Sequence, residues 1–324
     1  MSRTRLFRRD GRLPLGLDGP EEGGRASPAG ELSSAVSDQP SSGVGSGRAR
    51  FSVVIPAHNE ARYLGDCLRS LAAQDFDGDY EVLVVDNAST DSSVEIAQSF
   101  DAAVVREGRL GVCFARQAGT LVASGEIVVS TDADTTFPGD WLRRIDAVFH
   151  QNPAVVAVAG PCRYVGGPSW AWLYPRILFG FVHAFSWLTG RVCYVTATNL
   201  AFRQSAWDGY DTAMTQGGDE LDALRRLRAR GQVVFDPGNA TSTSARRLHR
   251  GLAYSVVVTF LYYYVLAYWM NRVAGRTMIG TAPPVRNLPR GRGRAWPICR
   301  AVAVVLCLLV ALALALSEHL PMFA

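Results

Sequence analysis

Three short apolar runs constrain this chain more than anything else in it. FSVVIP starts at Phe51, EVLVVD at Glu81 and EIVVST at Glu126, and each one stops at a proline or runs into aspartate. Each run is continuously apolar, with no polar residue at every second position, so it reads as a strand buried on both faces. Between the first two, Leu64, Leu68 and Leu71 recur at helical spacing within residues 58–74. After the second, Ser89, Thr90 and Asp91 offer N-caps for a helix running to Phe100. Ala102–Val105 reads as a third, short strand, Gly111–Ser124 as a helix and Glu126–Thr131 as the fourth strand. Strands alternating with helices predict an α/β fold with a largely parallel sheet covered on both faces. Such sheets bind ligands beyond the carboxyl ends of their strands. Pro56, Asp86 and the pair Asp132 and Asp134 all stand at such ends.

Further along, Ala154–Ala159 and Val195–Phe202 read as strands, and Val233–Asp236 as an edge strand. Leu221, Leu224 and Leu227 mark a helix over Glu220–Arg230, closed by Gly231. Trp170–Leu188 is aromatic, apolar and interrupted by Pro175 and Gly180. Its length suits a core helix, whereas tryptophans near both ends suit a helix lying in a membrane interface.

Asp132 and Asp134 are one residue apart, and period-2 geometry near a strand end sends both side chains to the same side. Two carboxylates so placed can grip a divalent cation and the phosphates it carries. The competing reading is an acidic turn after a strand, because aspartate is common in turns.

Charge is divided along the chain. Up to Asp236 there are 23 arginines and 28 acids, a balance of −5; from Pro237 there are ten arginines and Glu318 alone, a balance of +9. A basic tail behind a mildly acidic domain points to an anionic membrane surface or a phosphorylated ligand. These arginines mostly flank apolar stretches, which argues against a nucleic-acid partner. The cysteines (Cys67, Cys113, Cys162, Cys193, Cys299 and Cys307) lack metal-type spacing and read as small buried hydrophobes in a reducing compartment. Residues 1–50 are rich in Gly, Ser, Pro and Arg and are expected to be disordered. The basic start has no apolar region behind it of the kind a cleaved secretory signal needs.

Residues 251–324 are expected to form a membrane-associated region, with apolar helices at about 252–270 and 298–316. The second is long enough to span a bilayer. The first is rich in tyrosine, and basic clusters lie on both sides of it: Arg246, Arg247 and Arg250 before, and six arginines in Asn271–Arg294 after. A single span would put one cluster outside, against the positive-inside tendency. It therefore either lies in the interface or re-enters, or it breaks that tendency.

Four segments in order, FSVVIPAHNEARYLGDCLRSL, EVLVVDNASTDSS, GVCFARQAGTLVASGEIVVSTDAD and GGDELDALRRLRARG, closely resemble the successive motifs of family 2 glycosyltransferases. The resemblance covers about Phe51–Asp236 and implies the GT-A fold, for a domain over residues 51–250. It implies that Pro56, Ala57, His58, Asn59 and Glu60 border the nucleotide, with Glu60 reaching base or ribose and Asp86 contacting the base. Arg116 matches the arginine of the family's Ala-Arg-Asn, although Gln117 stands where the family has asparagine. Asp132-Ala133-Asp134 matches the DXD motif, with Asp134 on a Mg2+ or Mn2+ ion and Asp132 on ribose or the metal shell.

Asp219 and Glu220 match the acidic pair that holds the catalytic base. Alignment of the following helix points to Glu220, residue identity to Asp219, and the reading leans to Asp219. Arg246 and Arg247 stand where relatives place basic groups facing the diphosphate, and they equally suit lipid headgroups. His249 is a further candidate for the metal shell. Plainer structural roles exist for each: Glu60, Asp219 and Glu220 as acids favoured at helix starts, Asp86 as a turn acid and Arg116 as a surface arginine.

The implied activity is transfer of a sugar from a nucleotide-diphosphate sugar, with inversion, to a hydroxyl acceptor. The apolar C-terminal region favours a lipid-linked or cell-envelope glycan acceptor, membrane lipids as partners and a catalytic domain on the cytoplasmic face of the cell membrane. A nucleotidyltransferase is the first alternative, but PAHNEARYL lacks the Gly-rich basic loop expected after its first strand. A membrane-bound binding or scaffold protein with an inactive site is the second.

Overall fold

The structure, a computed structural model, describes residues 48–212 and 219–251, with 254, 255, 257, 262, 266 and 270 besides. The expected segments 1–50, 252–270 and 298–316 lie outside the described residues, apart from 48–50 and those single positions. The expected alternation is present: β1 (Phe51–Ala57), α1 (Ala61–Ala72), β2 (Tyr80–Asp86), α2 (Ser93–Ser99), β3 (Ala103–Arg106), α3 (Val112–Val122) and β4 (Ile127–Ser130). β1 pairs in parallel with β2 on one side and β4 on the other, and β3 extends the sheet beyond β2. Because each run is apolar throughout, successive residues feed opposite faces. Val53 and Ile55 pack with Leu64, Leu68 and Leu71 of α1, while Val54 packs with Ala115 of α3.

The second half of the chain adds β5 (Thr135–Thr136), α4 (Trp141–Gln151), β6 (Val155–Ala159), β7 (Cys162–Val165), α5 (Leu173–Thr189) and β8 (Leu200–Arg203). After these come α6 (Asp219–Arg230), β9 (Gln232–Phe235), β10 (Thr241–Ser244) and a 3-10 turn at Ala245–Arg250. The main sheet has the order β3-β2-β1-β4-β8-β6-β9, so β9 is the predicted edge strand. β8 runs antiparallel to both β4 and β6, and the other pairs are parallel. A small sheet, β5-β10-β7, stands beside it. Helix α4 was not anticipated from sequence. It buries Trp141, Leu142, Ile145 and Phe149 on the face that α1 also covers.

One strand expectation needs adjustment. The strand expected over Val195–Phe202 begins only at Leu200, after a 3-10 turn at Ala197–Asn199. The Thr196 hydroxyl accepts from the Thr198 amide and offers the backbone a local alternative to the ladder. Among the described residues no helix is long and apolar enough to cross a membrane. The aromatic stretch at 170–188 forms α5, which tolerates Pro175 in its first turn and ends at Gly190, φ 68°. Cys67, Cys113 and Cys162 are buried free thiols, and Cys193 is a half-buried one.

Candidate active site

The loops at the carboxyl ends of β1 and β4 enclose, with the small sheet, a cavity of about 310 Å3. Pro56, Ala57 and Glu60 line it from the first motif, and Asp132, Ala133 and Asp134 from the third. β4 ends at Ser130, so the two aspartates sit in a turn, closed by the Thr135 amide donating to the Asp132 carbonyl at 3.2 Å. The turn, not a continuing strand, aims both carboxylates at the cavity, and buried Ala133 anchors it in the core. The acidic-turn reading and the binding-site reading thus describe the same element.

Each aspartate is held by one arginine and one threonine. Asp132 accepts from Arg116 at 2.9 Å and from the Thr198 hydroxyl at 2.9 Å. Asp134 accepts from the Thr243 hydroxyl at 3.2 Å and faces Arg246 at 3.0 Å. Burial is the largest influence on the Asp134 carboxyl and pushes its pKa up from 3.8 to about 6, against the pull of Arg246 and helped by Asp132.

Arg116 lies in the interior, not on the surface of its helix, with its side chain only 5% exposed. It donates to Asp132 and also to Asp219, so one buried guanidinium joins the β4 turn to the start of α6. Burial opposes its charge, but Asp219 and Asp132 hold its pKa well above the usual value. Glu220 also lines the cavity and is buried, and its Oε2 has no hydrogen-bond partner among the described residues. Burial first, then the neighbouring Asp219 carboxylate, raise its pKa well above 4.5.

On the opposite side, Arg246 forks onto both oxygens of Glu60 at 2.7 and 2.8 Å and lies 5.1 Å over the Tyr63 ring. Glu60 occupies the N-cap position of α1 without capping it through its side chain; its carboxylate instead serves the cavity. Arg247 lines the cavity too. Asp86 ends β2 but does not line this cavity: its Oδ1 accepts from the Ser89 amide at 3.0 Å, and the next residue, Asn87, forms the wall. His249 turns away, with Nε2 at 3.0 Å from the Gly166 carbonyl, so it does not complete a metal shell beside Asp134.

Sequence reasoning missed the threonine and tyrosine walls. Tyr194, Thr196 and Thr198 line the cavity at every second residue, and Tyr164 and Tyr174 join them with ring centroids 6.2 Å apart. The alternation in VCYVTATN was the available signal.

Among the described residues no group of three or more His, Cys, Asp or Glu is arranged to hold a metal ion by itself. Asp132 and Asp134 nevertheless fit a Mg2+ or Mn2+ ion that arrives with a diphosphate. Hard cations of this kind take one or two carboxylates and complete their shell with phosphate oxygens and water.

Residues 52–210 match the family model described as glycosyl transferase family 2. The chain is 37% identical over 100 residues to glycosyltransferase AglE of Haloferax volcanii, covering 29% of this chain and 33% of that protein. It is 36% identical over 121 residues to an uncharacterized glycosyltransferase of Mycobacterium tuberculosis, covering 37% of this chain and 52% of that one. The chain thus spans a third to about half the length of these relatives. Among solved structures it is similar to mannosyltransferase PcManGT from Pyrobaculum calidifontis in complex with GDP-Man and Mn2+. That likeness has a TM-score of 0.55 at 21% identity and covers 85% of this chain and 82% of the other. It is also similar to S. aureus TarS 1-349 in complex with UDP, with a TM-score of 0.51 at 20% identity, over 70% of this chain and 72% of the other. These likenesses support the GT-A-like fold. The match over residues 52–210, just under half of the chain, supports a family 2 glycosyltransferase.

Proposed function

We propose that the protein is a metal-dependent, inverting glycosyltransferase that moves a sugar from a nucleoside-diphosphate sugar to a hydroxyl acceptor. One observation carries the reading. Two aspartates, three arginines and a buried acid pair from four separate parts of the sequence line a single cavity at the strand ends.

Asp132 and Asp134 would hold a Mg2+ or Mn2+ ion, which draws charge from the leaving nucleoside diphosphate. Arg246 and Arg247 face the same cavity and suit a diphosphate, and a guanidinium fork can take two of its oxygens at once. Pro56, Ala57 and Glu60 form the wall assigned to the nucleotide, and Asp86 would reach the base from the end of β2 just outside it. Solved proteins of similar fold hold GDP-Man with Mn2+ and UDP, which supports a nucleotide-linked donor without choosing the base.

The acceptor hydroxyl must lose a proton as it attacks the anomeric carbon. The sequence leans to Asp219 for that task, but the geometry favours Glu220. Asp219 is committed to Arg116 in a buried ion pair, whereas Glu220 presents an oxygen unpartnered among the described residues and a raised proton affinity. Arg116, on the cavity wall, then acts as a positioning residue that orients Asp132 and Asp219. Inversion rests on the family resemblance.

The apolar stretches 252–270 and 298–316, with the arginines between them, support attachment to a membrane and a lipid-linked or cell-envelope glycan acceptor. They also support a catalytic domain on the cytoplasmic side.

A thermal-shift screen of sugar nucleotides on the full-length protein, with and without Mn2+, tests donor and metal together. The expected result is a rise in Tm for one nucleotide family that depends on the metal and is lost in Asp134→Ala. A flat screen across UDP-, GDP- and dTDP-sugars would overturn the reading.

A further inference from the structure

Helix α5 turns a hydrophobic face to solvent. Among the described residues, six of the eleven exposed large hydrophobic side chains lie between Trp172 and Leu188. Leu173, Ile177, Phe181 and Leu188 recur at helical spacing as one stripe, with Trp172 and Trp187 near its two ends; Ile177 is 63% exposed and Trp187 82%. The opposite side of the helix is ordinary core, where Pro175, Phe179 and Val182 pack towards β9 and Tyr194. Among the described residues the core does not use the stripe, and a patch of this kind marks an interaction surface.

Charge points to one partner. The exposed polar positions of this helix and its end carry Arg176, His183 and Arg191, and no acidic residue occurs between Asp146 and Asp208. The 3-10 turn with exposed Arg247 packs through Ala245 and Leu248 on Ala171, at the start of the helix. A stripe of Leu, Ile and Phe bounded by tryptophans and rimmed by arginine has the composition of a helix lying in the headgroup layer of an anionic bilayer. An acidic protein partner would match the arginines but not the long unbroken apolar stripe.

We propose that the solvent face of α5 docks onto an anionic phospholipid surface and sets the orientation of the catalytic domain on it. The same helix supplies Tyr174 to the cavity wall, so its docking brings the tyrosine-lined side of the cavity to the headgroup layer. There a hydroxyl carried on a lipid would meet Glu220. This consequence rests on the glycosyltransferase reading; the docking itself does not.

The test uses the full-length protein on vesicles of equal parts phosphatidylglycerol and phosphatidylcholine. A photoreactive benzoylphenylalanine replaces Ile177, Phe181 or, as a control, Arg143, which is exposed on the far helix α4. Illumination should attach lipid at Ile177 and Phe181 and not at Arg143. Attachment instead to residues 252–324 of the same chain, or to a second copy, would assign the stripe to another occupant and overturn the proposal. Equal lipid labelling at all three positions, or none at any, would overturn it too. None of these readouts depends on sugar transfer, so lipid labelling without any donor-dependent thermal shift would sink only the functional reading.

Discussion

Arg246 grips Glu60 at two points, 2.7 and 2.8 Å, across 186 residues of sequence, and its remaining reach goes to Asp134 at 3.0 Å. The guanidinium is thus the resident counter-charge of Glu60, on the wall proposed for the nucleotide, and of Asp134, the proposed metal ligand, together. Arg246→Ala strips both carboxylates of it. Donor affinity is expected to fall roughly 10- to 100-fold, and stability by about 1–3 kcal/mol. Arg246→Lys should recover little, because an ammonium cannot reproduce the fork. Calorimetric titration of the donor and urea unfolding check the two parts; unchanged donor affinity in Arg246→Ala would remove the diphosphate role.

Arg116 makes a sharper prediction because it is buried. Its side chain is 5% exposed, and those of its partners Asp219 and Asp132 are 10% and 33% exposed. Arg116→Met keeps the volume but leaves two carboxylates facing each other without a cation. A loss of about 3–5 kcal/mol in unfolding free energy is expected, the usual cost of breaking a buried ion pair on one side. A surface arginine would cost almost nothing, so denaturant unfolding separates the two roles.

Glu220→Gln and Asp219→Asn should fail differently. Removing the base is expected to lower turnover about 100- to 10,000-fold while leaving the fold intact, because the neutral amide suits the buried site at least as well as the acid. Asp219→Asn should lower stability through Arg116. The pH dependence has a definite sign. A base works only when deprotonated, and burial raises the Glu220 pKa above 4.5. Turnover should therefore rise with pH along a limb lying above the ordinary glutamate range, and Glu220→Gln should flatten it. A normal limb in Glu220→Gln would return the role to Asp219.

The parts of this molecule that sequence made legible share a physical property. β1, β2 and β4 are buried on both faces, so their residues had to be continuously apolar, and the acids at their ends stood out by contrast. Arg116 was harder, because an arginine in a helix normally faces water. The clue lay in its company: Cys113, Ala115, Gly119 and Thr120 are buried with it on one side of α3. The small sheet was invisible, since β5 has two residues and β10 reads TSTS, with no apolar content to betray a strand. Its residues instead serve the cavity, as Thr243 does for Asp134.

Gly119 tests how tightly α3 is seated on the sheet beneath the site. A Cβ there would lie 2.4 Å from Cγ1 of Val54 and 2.8 Å from Cγ2 of Val85, both side chains in the core. Gly119→Ala gains helix propensity but forces β-branched neighbours apart, and overpacking of this kind costs about 1–3 kcal/mol. A net loss of stability is expected by thermal unfolding, together with weaker donor binding as Arg116, three residues earlier, shifts.

Asp134 should reveal a cost the fold bears for its site. Its carboxyl has a pKa of about 6 in the folded protein against 3.8 ordinarily, chiefly because it is buried. The folded state therefore holds this proton more tightly than the unfolded chain does. The deficit is absent below about pH 3.8, grows as pH rises towards 6 and stays constant above. At roughly 1.4 kcal/mol per pH unit it amounts to on the order of 3 kcal/mol. Asp134→Asn, which can keep the contact from Thr243, should thus be more stable than the parent at neutral pH without metal. Its advantage should shrink on acidification, while metal-dependent donor binding is lost. Urea unfolding at several pH values, with chelator present, measures the difference; an asparagine variant less stable at pH 7 than at pH 4, relative to the parent, would show that Arg246 more than offsets the burial.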